Sequence, residues 1–177
     1  MCLKLKLMYA LLVGALLLPV SVFAKSGDAE QLVHVEADSA QLNDKTGIGI
    51  YLGDVRITQG NMVLTADKVT VIAPGRDLLK LIAHSNNKDA MSTFRQLTDS
   101  GEEITAEARH MVYEPDRHLI ILLGDAVLLR GPNRFAAQRI VYHIVRQVTD
   151  AGALQGKGRV KMTLVPESHA GQAATIH

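Results

Sequence analysis

The sequence is poor in what most binding and catalytic chemistry requires. It has one cysteine, no tryptophan and only three phenylalanines among 177 residues. Cys2 lies at the extreme N-terminus, within a segment expected to be removed, so a disulfide framework, a thiolate metal site and a cysteine nucleophile are all excluded. With so few large rings, any interior must be lined mainly by aliphatic side chains. Charge of neither sign dominates: the formal net charge is +1, and without basic tracts the chain is a poor candidate for nucleic acid. Helix signals are scarce, and no glycine-rich phosphate loop opens a helix.

At the N-terminus, Lys4 and Lys6 precede an apolar run from about Leu7 to Val20. Val22 and Ala24 then offer small residues at the two positions that matter for cleavage. This layout predicts a secretory signal peptide over residues 1–24 and export to the periplasm. The competing reading, a single membrane anchor, needs roughly 20 apolar residues, and Pro19 breaks this run short of that. A lipidated cysteine would follow the apolar core, whereas Cys2 precedes it. Loss of Lys4 and Lys6 leaves 17 basic and 18 acidic residues on a chain of 153. That length suits one domain, placed at residues 31–165. Residues 25–30 read as a flexible lead-in, and residues 166–177, without periodicity, as a disordered tail.

Between these ends, short β-branched or leucine-rich segments alternate with turn residues. Leu32-Val33-His34-Val35-Glu36, Ile48-Gly49-Ile50-Tyr51-Leu52, Val55-Arg56-Ile57-Thr58, Met62-Val63-Leu64-Thr65 and Ile140-Val141-Tyr142-His143-Ile144 all show a period of two. Such a period places one apolar and one mixed face on each strand. Asn43-Asp44, Gly53-Asp54, Gly60-Asn61, Pro74-Gly75, Gly124-Asp125 and Gly131-Pro132-Asn133 punctuate the segments. The expectation is an all-β sandwich, barrel or roll. Between Glu102 and Tyr113 the apolar parity switches once, from Ile104, Ala106 and Ala108 to Met111 and Tyr113, as in a bulged strand rather than a helix.

The chain also repeats itself. Gly53-Asp54 matches Gly124-Asp125, Gly60 matches Gly131, and Ala66-Asp67-Lys68-Val69 matches Ala137-Gln138-Arg139-Ile140, all at one offset. Turn chemistry alone explains one such match but not several in register. A duplicated layer is expected, its strands stacking on their counterparts, with Gly53, Gly60, Gly124 and Gly131 at corners that only glycine takes cheaply.

No catalytic constellation emerges. The histidines His34, His84, His110, His118, His143, His169 and His177 never fall in a metal spacing, and no G-x-S-x-G elbow is present. No metal, cofactor or enzymatic activity is therefore expected. What the sequence has in surplus is apolar area. Both faces of Leu119-Ile120-Ile121-Leu122-Leu123 are apolar. With Val33, Val35, Leu42, Ile48, Ile50, Ile57 and Leu64, the alternate residues Leu119, Ile121 and Leu123 are expected to line a common interior. If a V-shaped pair of sheets leaves that interior open at both ends, it forms a continuous apolar groove. Each CH₂ buried there contributes about 0.8 kcal/mol, so acyl chains could be held without any catalyst. An ordinary packed core accounts for the same residues.

The chain resembles the OstA-like family of periplasmic lipopolysaccharide-transport proteins. The likeness runs through Gln31–Ala40, the Gly53–Gly60 corner, Thr65-Ala66-Asp67-Lys68-Val69, Ser92-Thr93-Phe94-Arg95-Gln96, Ala108–Glu114 and Gly156-Lys157-Gly158-Arg159-Val160. It implies an open, twisted antiparallel jelly roll of about sixteen short strands that holds the acyl part of lipopolysaccharide. It implies also end-to-end joining with like-folded inner- and outer-membrane components through terminal edge strands, and a head-to-tail homo-oligomer as a further arrangement. Val33 and Val35 correspond to interior residues near the N-terminal end, and Phe94, Met111 and Tyr113 to residues facing the lipid path. Two departures stand out: Ser85-Asn86-Asn87-Lys88-Asp89-Ala90 replaces a Gly/Pro-rich stretch, and Pro115 replaces an apolar residue. Lys68, Arg76 and Arg139 could touch lipid phosphates at a rim or simply form a solvated face. The alternative function is a structural β-solenoid without a lipid ligand.

Overall fold

Two glycine–aspartate pairs fold one long sheet over on itself. The computed structural model describes residues 32–85, 90–98, 100–154 and 158–165. Among them, twelve strands form one antiparallel sheet. They are β1 (Val33–Glu36), β2 (Ser39–Asn43), β3 (Ile48–Gln59), β4 (Met62–Ile72), β5 (Lys80–His84), β6 (Ser92–Leu97), β7 (Glu103–Ala108), β8 (His110–Glu114), β9 (Leu119–Arg130), β10 (Asn133–His143), β11 (Val148–Gly152) and β12 (Lys161–Thr163). The described residues contain no α-helix, only two short 3₁₀ turns at Pro74–Arg76 and Pro115–Arg117. Proline opens each turn, where its missing N–H costs nothing. In the second, Pro115 is buried and His118 closes the turn in the left-handed region.

Each of the long strands β3, β4, β9 and β10 serves two faces. The register slips between Leu52 and Val55 in β3 and, opposite Ala137–Arg139 of β10, between Leu123 and Ala126 in β9. These bulges bend the sheet. One face runs β1, the end of β3, the start of β4, β6, β7, the end of β9, the start of β10, then β12. The other runs β2, the start of β3, the end of β4, β5, β8, the start of β9, the end of β10, then β11. Bent strands counted by segment thus give the expected roll of short strands.

The duplication is a duplication of pairing. In the first unit β1 and β2 pair with β3, β3 with β4, and β4 with β5 and β6; in the second β7 and β8 pair with β9, β9 with β10, and β10 with β11 and β12. The seam between the units is β5 on β8 and β6 on β7. The parity switch expected as a bulge within one strand is instead the step from β7 to β8, where the chain passes from one face to the other.

Gly53 and Gly124 occupy the two corners, at φ +79° and +77°, which only glycine adopts without steric cost. A Cβ on Gly53 would also lie 2.1 Å from Asp38 Oδ2. The following Asp54 and Asp125 have positive φ as well, and aspartate tolerates that region better than most residues. At the second corner Arg109 bonds Asp125 at 2.8 Å. The Arg109 guanidinium, then the Gln138 amide, hold the Asp125 carboxyl below its usual range. Gly60 and Gly131 differ from expectation: they sit between β3 and β4 and between β9 and β10, so they are hairpin tips rather than bends within a layer.

Candidate functional site

Directly opposed residues on neighbouring strands point to the same side of a sheet, so the register defines the interior. On the first face one row passes through Val35, Ile57, Leu64, Phe94, Ala106, Leu128, Phe135 and Met162. On the second, two rows pass through Leu42, Gly49, Val71, Leu81, Tyr113, Ile120 and Tyr142, and through Ala40, Tyr51, Val69, Ala83, Met111, Leu122, Ile140 and Ala151. The two faces meet: the Phe94 and Tyr113 rings lie 5.2 Å apart, tilted by 48°, within the favourable range for aromatic pairs.

Midway along the molecule these rows close on each other. Leu64, Phe94, Met111, Leu122, Leu128 and Ile140 have no solvent exposure. The interior there is filled by its own side chains, so the expected groove is not continuous in this structure. At the ends the same rows come into the open. Leu42 is 65 % exposed at one end and Met162 53 % at the other. A cavity of about 560 Å³ opens at the first end, lined by Leu42, Ile48, Gly49, Tyr51, Val71 and Ala73, with Asn43, Asp44, Gly47 and Gly75 at its margin. The outer edges of β1, β2, β11 and β12 have no strand beside them among the described residues.

Of the residues expected to line the interior, Ile57, Leu64, Phe94, Met111 and Tyr113 are buried in the core, and Val33 and Val35 pack against it. Leu42 faces inward at the open end. The remaining five require correction. Ile48 and Ile50 alternate with the inward Gly49 and Tyr51, so they sit on the outer row, although Ile48, at the end of the sheet, still borders the cavity. Ile121 and Leu123 face outward because Ile120 and Leu122 oppose the inward Tyr142 and Ile140. Leu119 is buried, but on the outer row between Glu114 and His143. Interior residues not anticipated include Gly49, Tyr51, Ile120, Leu122, Leu128 and Tyr142. Lys68 and Arg139 lie on an outer row with Leu52, His84, His110 and Leu123, away from the interior, and Arg76 lies in the first 3₁₀ turn.

Polar chemistry inside is sparse. Ser92, Gln59 and Gln96 are buried among apolar neighbours. Tyr142 is pushed above its usual pKa, mainly by burial. At the rim opposite the corners, Arg130 meets Glu102 at 3.3 Å and donates to the Gln147 carbonyl at 3.1 Å, bridging the two faces. Lys80 and Arg117 hold Glu114 ionised, each at 2.8 Å; the Lys80 hydrogen bond lowers its pKa most, against the effect of burial. No group of three potential metal ligands occurs among the described residues, and no helix among them is long and apolar enough to cross a membrane. The expected signal peptide, the lead-in, most of the Ser85–Ala90 turn and the tail lie outside the described residues.

The interior is thus mostly apolar, and the strand edges at its two ends are bare among the described residues. The chain is 32 % identical over 163 residues to the lipopolysaccharide export system protein LptA of Escherichia coli K12, covering 92 % of this chain and 86 % of the relative. It is 30 % identical over 154 residues to the lipopolysaccharide export system protein LptH of Pseudomonas aeruginosa, covering 83 % and 86 %. The crystal structure of that LptH, described as the periplasmic component of the conserved lipopolysaccharide transport device, matches with a TM-score of 0.71 at 28 % identity, covering 80 % of this chain and all of that one. Residues 34–148 match the family described as LptA/(LptD N-terminal domain) LPS transport protein, and the chain belongs to that family.

Proposed function

We propose that the chain is exported to the periplasm and carries lipopolysaccharide between membranes, seating the acyl chains against the inner rows of the roll and joining end to end with like-folded partners. The observation that carries this reading is the run of inward apolar residues from Val35 and Leu42 to Met162, bare at both ends. With the middle closed, acyl chains enter by parting the faces on the rim side, where Arg130 and Gln147 bridge them and, among the described residues, no strand crosses.

The end contacts follow from the internal seam. β11 and β12 hold in the second unit the places of β5 and β6, while β1 and β2 hold in the first those of β7 and β8. Bare edges of this kind are docking sites for strand addition. The seam pairs Leu81 with Tyr113 and Thr93 with Glu107. Transferred to two stacked copies, that register sets Thr149 opposite Leu42, Met162 opposite Val35 and Lys161 opposite Glu36. Lys161 with Glu36 is an attractive cross-strand pair. Reversing one charge makes it repulsive, so Lys161→Glu is expected to weaken end-to-end association about tenfold, and adding Glu36→Lys to restore it. Sedimentation velocity measures both; a double variant as weak as the single rules out this register.

For the carriage itself, a photo-crosslinker at Val35 or Tyr113 is expected to capture lipopolysaccharide in cells, and one at the outward Arg56 is not. Capture confined to Arg56, or no lipid A in the mass spectrum of protein taken from its own compartment, favours the competing reading, a ligand-free structural roll. The filled middle of the interior is the observation on that side.

A further inference from the structure

The seam between the two units carries a feature that lipid carriage does not use. β5 and β8 pair so that His84 directly opposes His110. Their Nδ1 atoms lie 2.5 Å apart and their rings cross edge to face, with centroids 4.6 Å apart and planes at 73°. Two neutral imidazoles cannot both present a lone pair, nor both an N–H, at that separation. The two rings therefore take opposite tautomers and share one N–H···N hydrogen bond, which holds both Nδ1 atoms converging on one point.

We propose that His84 and His110 form a two-imidazole site for a divalent copper ion on the outer surface of the roll. Opening the Nδ1···Nδ1 separation slightly, by rotation of rings already converging from rigid strands, sets two cis nitrogen ligands around one ion, with water at its remaining positions. Copper is favoured because, among divalent first-row ions, it binds imidazole nitrogen most strongly and takes square-planar sites that two cis nitrogens can begin. Burial of His84, then His110 and then Lys68, push the His84 pKa below the usual imidazole value. Lys68, next in the same row, repels a cation and limits affinity. His110 is exposed, which leaves the ion a route from solvent.

The site belongs to the internal seam alone. At the positions that the repeat assigns to the outer edges, Gly152 replaces His84 and Ser39 replaces His110, so copper bridges β5 to β8 within one chain and leaves the proposed end contacts untouched.

Untagged protein purified from the periplasm and stripped with EDTA is titrated with CuCl₂ at neutral pH. Calorimetry is expected to show one strong equivalent, with an electron paramagnetic resonance spectrum split by two imidazole nitrogens. His84→Ala and His110→Ala should each weaken that equivalent about tenfold or more, while His143→Ala, which removes another histidine of the outer face, leaves it unchanged. Retention of the affinity in both seam variants, or its loss in His143→Ala alone, overturns the proposal. So does a wild-type spectrum without two nitrogen couplings, a readout that does not depend on any variant folding.

Discussion

Replacing Phe94 by alanine is expected to lower the unfolding free energy by about 3–5 kcal/mol and the melting temperature by roughly 10 °C or more. Phe94 is fully buried, opposes Leu64 and Ala106 across its own face, and meets Tyr113 of the other face at 5.2 Å. Truncation removes the one large ring that β6 contributes between the faces. Its neighbours are held by strand pairing on both sides, so they cannot collapse into the space, and the loss combines transfer and cavity costs. The result also reports on the interior itself. If the faces stand apart in solution, the ring faces an open trough, no cavity forms and the melting temperature falls by only a few degrees. Thermal unfolding followed by circular dichroism, without and with lipopolysaccharide, separates the two cases. A small loss without lipid refutes the closed middle described above.

How much of this was legible in the sequence depends on whether local or distant residues decided it. Strand segments and turns were legible because a period of two and a glycine at positive φ are local properties. The parity change from Ile104, Ala106 and Ala108 to Met111 and Tyr113 was legible too, though as a bulge and not as the step between faces that it is. The repeat was legible through Gly53-Asp54 and Gly124-Asp125, which turn the same corner in both units. The facing of strands apolar on both sides was not. In Leu119-Ile120-Ile121-Leu122-Leu123 either parity satisfies a hydrophobic pattern, and a shift of one residue exchanges the faces. In the first unit the inward position is Gly49, which has no side chain to announce it, while Ile48 and Ile50 on the outer side look like core. Counting back by twos from each corner glycine would have placed Tyr51 and Gly49, then Leu122 and Ile120, inward; the repeat held the answer that hydrophobicity obscured. The His84–His110 contact was beyond reach for a different reason. It depends on the register of β5 against β8, which no local spacing encodes.

That distinction between faces gives the sharpest test of lipid carriage. Leu42→Asp is expected to weaken lipopolysaccharide binding about ten- to hundredfold, the equivalent of one leucine side chain's burial of about 1.5–3 kcal/mol, while the melting temperature stays within a few degrees of wild type. Leu42 faces inward on β2, opposite Gly49, and lines the open cavity, yet it is 65 % exposed. The unliganded fold gains little from it, and substitutions at such positions usually shift stability by less than about 0.5 kcal/mol. Its apolar area becomes useful only when something covers it. Leu52→Asp supplies the control. It places the same charge on the same end of the sheet, at a leucine 45 % exposed, but on the outer row beside Lys68, so lipid binding should persist. Because the stacked register also sets Leu42 against Thr149 of a second copy, binding is measured at concentrations where the chain sediments as a monomer. Equal losses in the two variants would trace the effect to general charge rather than to the interior. Unchanged binding in Leu42→Asp would mean that acyl chains do not pass this end of the roll.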